Sequence, residues 1–68
     1  MPGTYKKIAI VGTSSVSFAE AVKAAIQDAS QTVRHIDWFE VDEMRGCVKD
    51  GQVAEFQVTL RIGFKLER

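Results

Sequence analysis

Apolar and polar residues alternate almost strictly along the last third of the chain. Between residues 53 and 67 the apolar side chains fall mainly on even positions and the polar ones on odd positions. Because successive side chains of a strand point to opposite faces, this pattern predicts a strand with one buried face and one polar face. The run HIDWFEVDEMRGCV, residues 35–48, predicts a second long strand. Asp50-Gly51 between the two is a strong signal for a two-residue hairpin turn.

A strand and a helix are predicted before this hairpin. Residues 4–12, TYKKIAIVG, are rich in strand-forming residues and end at a glycine. Ser17 and Glu20 then have the spacing of a capping box, in which each side chain satisfies a backbone N–H at the helix start. Apolar residues at steps of three and four predict one amphipathic helix of about four turns or slightly more, with alanines that would let a sheet approach closely. They are Phe18, Val22, Ala25, Ile26, Ala29 and Val33.

The order β-α-β-β predicts an α+β fold in which a three-stranded antiparallel sheet wraps around one helix. Residues 1–68 are expected to form a single domain, and a domain of this size is only marginally stable alone. The single cysteine, Cys47, excludes an internal disulfide and is expected to be a small buried hydrophobic residue. His35 is the only histidine, so no Cys/His cluster has metal-ligand spacing. Oligomerisation is the remaining expected source of stability.

Charge and hydropathy argue against two classes of partner. The chain has nine basic and nine acidic side chains, so no net charge attracts it to nucleic acid. No apolar run approaches the roughly 18 residues that a membrane span needs. The N-terminal run MPGTYKK is not followed by the apolar core of a signal peptide. We therefore expect a soluble cytoplasmic protein with no nucleic-acid or membrane partner.

The hairpin signal also predicts which residues of the two long strands face each other. With residues 50 and 51 as the turn, Val41 lies opposite Leu60 and Phe39 lies opposite Ile62. Both pairs then fall on the apolar face of the last strand. The agreement of two independent apolar patterns supports this register.

The same register places the only tryptophan, Trp38, on the polar outer face, opposite Gly63. A large indole over a glycine predicts a flat aromatic wall with a gap beside it, and not a residue that packs on the helix. Arg61 falls opposite Glu40 on this face, which predicts a cross-strand ion pair.

Gln57 lies on the same outer face as Trp38, six residues from Gly63 along the strand and so about 20 Å away. A planar heteroaromatic ligand needs an aromatic plane to stack on and an amide that offers both a donor and an acceptor to a ring edge. One flat subunit hardly brings both to a single ring system, so we expect a pocket assembled from more than one copy. Alternatively, Trp38 anchors a subunit interface and Gln57 is a solvated polar residue.

Several motifs together resemble the dodecins, small flavin-binding proteins of bacteria and archaea. They are VGTSS after the first strand, then DWFEV, RG, FQVTLRIGF and the terminal LE, and the resemblance covers essentially the whole chain. It implies a hollow shell of twelve chains. It also implies that Trp38 stacks on a flavin isoalloxazine ring and that Gln57 hydrogen-bonds the pyrimidine edge of that ring. The flavins would sit in pairs near symmetry axes, each between a tryptophan and its twin flavin.

The resemblance extends to residues that would contact phosphate. Arg45 corresponds to an arginine that bacterial dodecins direct at the phosphate side of the flavin, which favours FMN over riboflavin because a guanidinium binds phosphate with two hydrogen bonds. Some bacterial members also hold coenzyme A through basic residues near the chain ends, and Lys6 and Lys65 match such positions. Asp28 stands where a relative has a basic residue, and an acidic group there would repel phosphates.

We therefore expect a protein that binds FMN, stores or sequesters it and quenches its excited state. The alternative is a structural oligomer or interaction module without bound flavin. An enzyme is not expected, because the chain has no nucleophile–base pair, no paired carboxylates at a recognisable cleft and no phosphate-cradling loop. The run of residues 12–15, GTSS, precedes the helix and is interpreted as a plain strand-to-helix connection.

Overall fold

A three-stranded antiparallel sheet and one helix account for most of the chain in the computed structural model, which describes residues 3–66. The elements are β1 (Tyr5–Ser14), α1 (Phe18–Ala29), β2 (Ile36–Lys49) and β3 (Gln52–Lys65). The strand order is β1-β3-β2, so β3 is the central strand and pairs with both others. The predicted β-α-β-β fold is confirmed. Glu67, the last residue of the predicted alternation and of the terminal LE motif, lies outside the described residues.

The helix begins where the sequence predicts and ends earlier. The Ser17 hydroxyl accepts a hydrogen bond from the Glu20 backbone N–H at 3.1 Å, as an N-cap does. After Ala29 the amides of Gln31 and Thr32 bond to carbonyls three residues back, at 3.2 and 3.1 Å. Such bonds tighten the chain into a final turn and end the α-helix. The predicted length of about four turns is therefore wrong by roughly one turn, although Val33 still packs against the core.

The core lies between α1 and the inner face of β1 and β3. A glycine in β1 allows the helix to approach the sheet closely. The buried apolar residues are Ala21, Ala25, Val58, Leu60 and Ile62. A Cβ atom at Gly12 would lie 2.2 Å from the Ala21 carbonyl oxygen and 2.7 Å from the Ala25 Cβ. Only a glycine at this position lets the helix backbone rest against the strand, as the alanines of the helix suggested.

The hairpin of β2 and β3 has the predicted turn. Asp50 and Gly51 both have positive φ angles, 54° and 75°, as a type I′ turn requires. Beyond the turn the register shifts by one residue where β3 skips Ala54 and shifts back where β2 skips Asp42. These two bulges cancel, so the pairs predicted at Phe39 and Val41 are confirmed.

The inner face of β2 extends past the helix that should cover it. Within one chain α1 packs on β1 and β3, and the Cα trace is 51 Å long but only 20 Å and 13 Å across. Phe39, Val41 and Met44 consequently remain 50%, 44% and 56% exposed. Phe39 and Val41 are on the predicted apolar face, but a single chain does not bury them. No helix among residues 3–66 is long and apolar enough to span a membrane.

Candidate functional site

Trp38 lies on the outer face of the sheet with its ring directly over Gly63. The two residues are register partners, as predicted, and a Cβ atom at Gly63 would lie 2.3 Å from indole atoms Cε2 and Cζ2. The indole thus occupies the space that a side chain at residue 63 would need. On the other side of the indole stands Tyr5 of β1, with ring centroids 5.3 Å apart and planes tilted by 55°. The expected gap beside the indole therefore has an aromatic neighbour.

A carboxylate holds the edge of the indole. The Trp38 Nε1–H donates to Glu40 Oε2 at 2.9 Å, and the Lys7 ammonium donates to both Glu40 oxygens at 3.0 and 3.1 Å. These hydrogen bonds, first that from Trp38 and then that from Lys7, hold the pKa of Glu40 below its ordinary value of 4.5, against a smaller effect of desolvation. The predicted ion pair between Glu40 and Arg61 is wrong. Arg61 lies opposite Glu40 but donates through Nε to Asp42 at 2.8 Å, because the bulge turns Asp42 toward it.

Sequence reasoning missed the part that β1 plays in this site. Lys7 pairs with Gly63, so that Lys7, Gly63 and Trp38 form one row across all three strands. Tyr5 lies on the same face of β1, two residues away. The available signal was the alternation within TYKKIAIVG, which puts Tyr5 and Lys7 on one face. The pairing of β1 with β3 could not be read from the turn because a helix separates these strands.

The second pair of candidate residues is brought together by a bulge. In the register that the turn alone predicts, Arg45 falls on the apolar face, but the skipped Ala54 places it directly opposite Gln57 on the outer face. The Gln57 amide nitrogen donates to Glu55 Oε1 at 2.9 Å and to Cys47 Sγ at 3.4 Å. One chain can therefore present an amide and a guanidinium side by side.

Trp38 and the pair of Gln57 and Arg45 remain apart within one chain. Gln57 is six residues along β3 from Gly63, about 20 Å at the usual rise of a strand. An isoalloxazine ring system is much shorter than this distance. A single chain consequently does not bring these residues to one planar ring system.

Comparison with known proteins finds relatives that match nearly the whole chain. The family model for dodecins matches residues 4–67. The chain belongs to the dodecin family. It is 48% identical over 67 residues to the dodecin of Thermus thermophilus, covering 98% of this chain and 97% of that protein.

Solved dodecin structures have the same fold. The dodecin from Streptomyces coelicolor superposes with a TM-score of 0.95 at 50% identity, covering 97% of this chain and 94% of that one. The dodecin from Streptomyces davaonensis has a TM-score of 0.95 at 46% identity, with 100% of both chains covered. The family expected from the sequence motifs is thus shown.

Other residues singled out from the sequence lie away from the two pairs. Lys6 pairs with Phe64 and Lys65 pairs with Tyr5, so strand alternation directs Lys6 and Lys65 to opposite faces of the sheet. Asp28 lines a cleft between α1 and β1 with Ile10 and Val11. Within a single chain Lys6, Lys65 and Asp28 therefore do not lie together at one site. Among residues 3–66 no group of three or more His, Cys, Asp or Glu side chains could hold a metal ion.

Cys47 is exposed on β2, so its expected burial is wrong for the single chain. The outer face of β2 near the hairpin end has no helix over it, and the thiol there accepts the weak contact from Gln57. It contributes to the surroundings of the Gln57 amide and not to the core.

Proposed function

We propose that this dodecin binds FMN in pockets shared between copies of a homo-oligomeric shell, where it stores the flavin and quenches its excited state. One observation carries the proposal: the Trp38 ring covers Gly63 on the outer face, half-buried and hydrogen-bonded at its edge to Glu40. A planar indole without a helix above it is a stacking surface for an isoalloxazine ring. Gln57 supplies hydrogen bonds to the pyrimidine edge, and Arg45 beside it supplies charge for the phosphate.

Quenching of the bound flavin follows from the proposed stacking on Trp38. An indole in contact with an excited isoalloxazine ring donates an electron to it, and return of that electron restores the ground state without emission. The protein then protects its surroundings from flavin photochemistry as well as buffering free FMN. We propose binding and not catalysis as the activity, and the cytoplasm as its location.

The support for a shared pocket comes from two features of the single chain. The pair of Gln57 and Arg45 is about 20 Å from Trp38, which no single isoalloxazine ring can span. Phe39, Val41 and Met44 form an apolar face on the opposite side that the chain's own helix leaves uncovered. Assembly into a closed shell covers that face and joins the halves of the site. We propose FMN rather than coenzyme A as the ligand, because Lys6 and Lys65 face opposite ways and Asp28 would repel phosphate.

Absorbance and emission of the purified protein test the function against the structural alternative. Flavin-free protein is mixed with FMN, and unbound flavin is removed by gel filtration. Flavin storage predicts a yellow particle whose flavin emission is almost absent until the protein is denatured. A particle that stays colourless after FMN loading would favour the structural oligomer.

Assembly itself gives the first prediction. An extended chain with an uncovered apolar strand face and a core this small is not expected to persist as a monomer. Native mass spectrometry should find a large closed homo-oligomer, with twelve copies of the 7.6 kDa chain as the expected count. A stable monomer or dimer at micromolar concentration would contradict the shared pocket.

Arg45→Ala gives the second prediction, because only FMN offers the phosphate that the guanidinium would meet. Loss of a hydrogen bond to a charged group costs about 1.5–3 kcal/mol, so the FMN Kd should rise roughly tenfold or more. The riboflavin Kd should change much less. Titration of both ligands into the same variant measures the difference, with Arg34→Ala as a control for lost positive charge. An equal loss for FMN and riboflavin would mean that Arg45 acts through folding or assembly.

A further inference from the structure

Three side chains from two strands form a hydrogen-bonded row beside the proposed stacking surface. Trp38 and Glu40 lie two residues apart on the same face of β2, and Lys7 reaches Glu40 from β1 across the central strand. Glu40 Oε2 accepts from both the indole N–H, at 2.9 Å, and the lysine, at 3.1 Å. The carboxylate is therefore a bridge between Trp38 and a cation on the far edge strand.

The bridge restricts rotation of the indole about its Cβ–Cγ bond. Gly63 has no side chain that could select one orientation of the ring about this bond. The hydrogen bond at Nε1 does choose one, since a single N–H must meet a fixed acceptor. A stacking surface that is already oriented loses less entropy when a ligand binds.

We propose that Glu40 is a positioning residue for Trp38, that Lys7 keeps it ionised, and that flavin affinity consequently falls when Glu40 is protonated. This inference rests on the proposed flavin stacking, but its first half concerns the flavin-free protein. Glu40 itself is not expected to touch the flavin. It acts through the orientation of the indole.

The groups around Glu40 determine the direction of the pH effect. Lys7 faces it from β1, Arg61 from β3, and Trp38 donates to it within β2, while Arg61 is itself bonded to Asp42. A carboxyl whose pKa is lowered in the folded state contributes its interaction above its ordinary pKa and loses it as the pH falls through the lowered value. Positioning should therefore persist at neutral pH and be lost only below the ordinary value of 4.5.

Fluorescence of the flavin-free particle tests the positioning directly, because Trp38 is the only tryptophan. Glu40→Leu removes the acceptor, and the anisotropy decay should show a more mobile indole. Glu40→Gln keeps an acceptor oxygen at the same place, so it should restore much of the order at pH 7 and abolish the pH dependence. Lys7→Met should move the wild-type transition to higher pH, since the pKa of Glu40 then rises toward its ordinary value. Asp42→Asn, which removes a neighbouring carboxylate that does not bond to Trp38, is the matched control.

Riboflavin titration then tests the consequence for binding, since riboflavin has no phosphate to titrate in the same range. Its affinity at pH 7 should be about three- to tenfold weaker in Glu40→Leu, the usual range for one hydrogen bond, and nearer to wild type in Glu40→Gln. Unchanged anisotropy and unchanged affinity in Glu40→Leu would overturn the inference, as would an equal effect of Asp42→Asn. If wild-type protein binds neither FMN nor riboflavin while the anisotropy still follows Glu40, the flavin proposal fails and the positioning of the indole stands.

Discussion

Replacing Trp38 with alanine is expected to weaken flavin binding and to remove quenching while leaving the fold in place. The indole rests on Gly63 and contacts Tyr5 on the outer face, so its loss opens no cavity between α1 and the sheet. Aromatic stacking on a heterocyclic base is worth about 1–3 kcal/mol, which corresponds to a roughly 5- to 150-fold rise in Kd. Any flavin still bound should fluoresce, because the electron donor is gone. FMN titration followed by flavin emission measures both effects.

The neighbouring aromatic residue provides the control for this variant. Phe39 points to the opposite, inner face and is 50% exposed in the single chain, so Phe39→Ala should weaken assembly before it affects the stack. Thermal unfolding of the flavin-free proteins distinguishes a tryptophan on the outer face, whose loss leaves the fold stable, from a tryptophan in the core. A buried core tryptophan cut to alanine would instead cost about 3–5 kcal/mol of stability. Full binding with full quenching in Trp38→Ala would mean that the flavin stacks elsewhere.

Gly12→Ala is expected to destabilise the protein strongly, although it adds only one methyl group. The added carbon would meet the Ala21 carbonyl oxygen and the Ala25 side chain, so the helix must move away from β1. Overpacking of this kind typically costs about 1–3 kcal/mol, and contact with backbone leaves little room to relax. For a domain of this size we expect the Tm of the flavin-free protein to fall by about 10 °C or more. Differential scanning calorimetry measures the change.

Gly3→Ala is the matched control for the glycine variant. The added carbon there would lie 2.9 Å from Cε of Lys65, the mobile end of a flexible side chain, which can turn aside. Its Tm should stay close to wild type. If Gly12→Ala unfolds at the wild-type temperature as well, the helix is not held against β1 as closely as the structure indicates.

The strands, the turn and the placement of Trp38 could be predicted because each depends on local pattern. Alternation in β3 defines its faces, and the Asp50-Gly51 turn fixes where β2 begins to pair. Trp38 was thereby placed opposite Gly63 without knowledge of the rest of the fold. The end of the helix was harder to predict, because apolar spacing continues to Val33 although the amides of Gln31 and Thr32 already bond to carbonyls three residues back.

The pairing of Arg45 with Gln57 could not be predicted from the same patterns. A bulge shifts every later pair by one residue, and its position depends on how the whole sheet twists. Here the shift at Ala54 begins near the turn and is cancelled at Asp42, so the predicted register was right at Trp38 and wrong at Arg45.

The contacts of Glu40 and the exposure of Phe39 depended on information outside any single strand. Glu40 bonds to Lys7 because β1 returns on the far side of β3, which no hairpin signal announces. Phe39 has the apolar pattern of a core residue, yet whether it is covered depends on the length of α1 and on other copies of the chain. The side of the sheet that a residue faces can be predicted from the sequence. Whether other parts of the protein bury that side depends on the tertiary fold.

A crystal structure of the protein with FMN should show directly whether the flavin stacks on Trp38. We expect an isoalloxazine ring stacked on Trp38 at van der Waals distance, with Gln57 of a different copy at its pyrimidine edge and a guanidinium near its phosphate. FMN bound away from Trp38, or a Trp38 ring covered only by protein from a neighbouring copy at saturating FMN, would contradict this expectation.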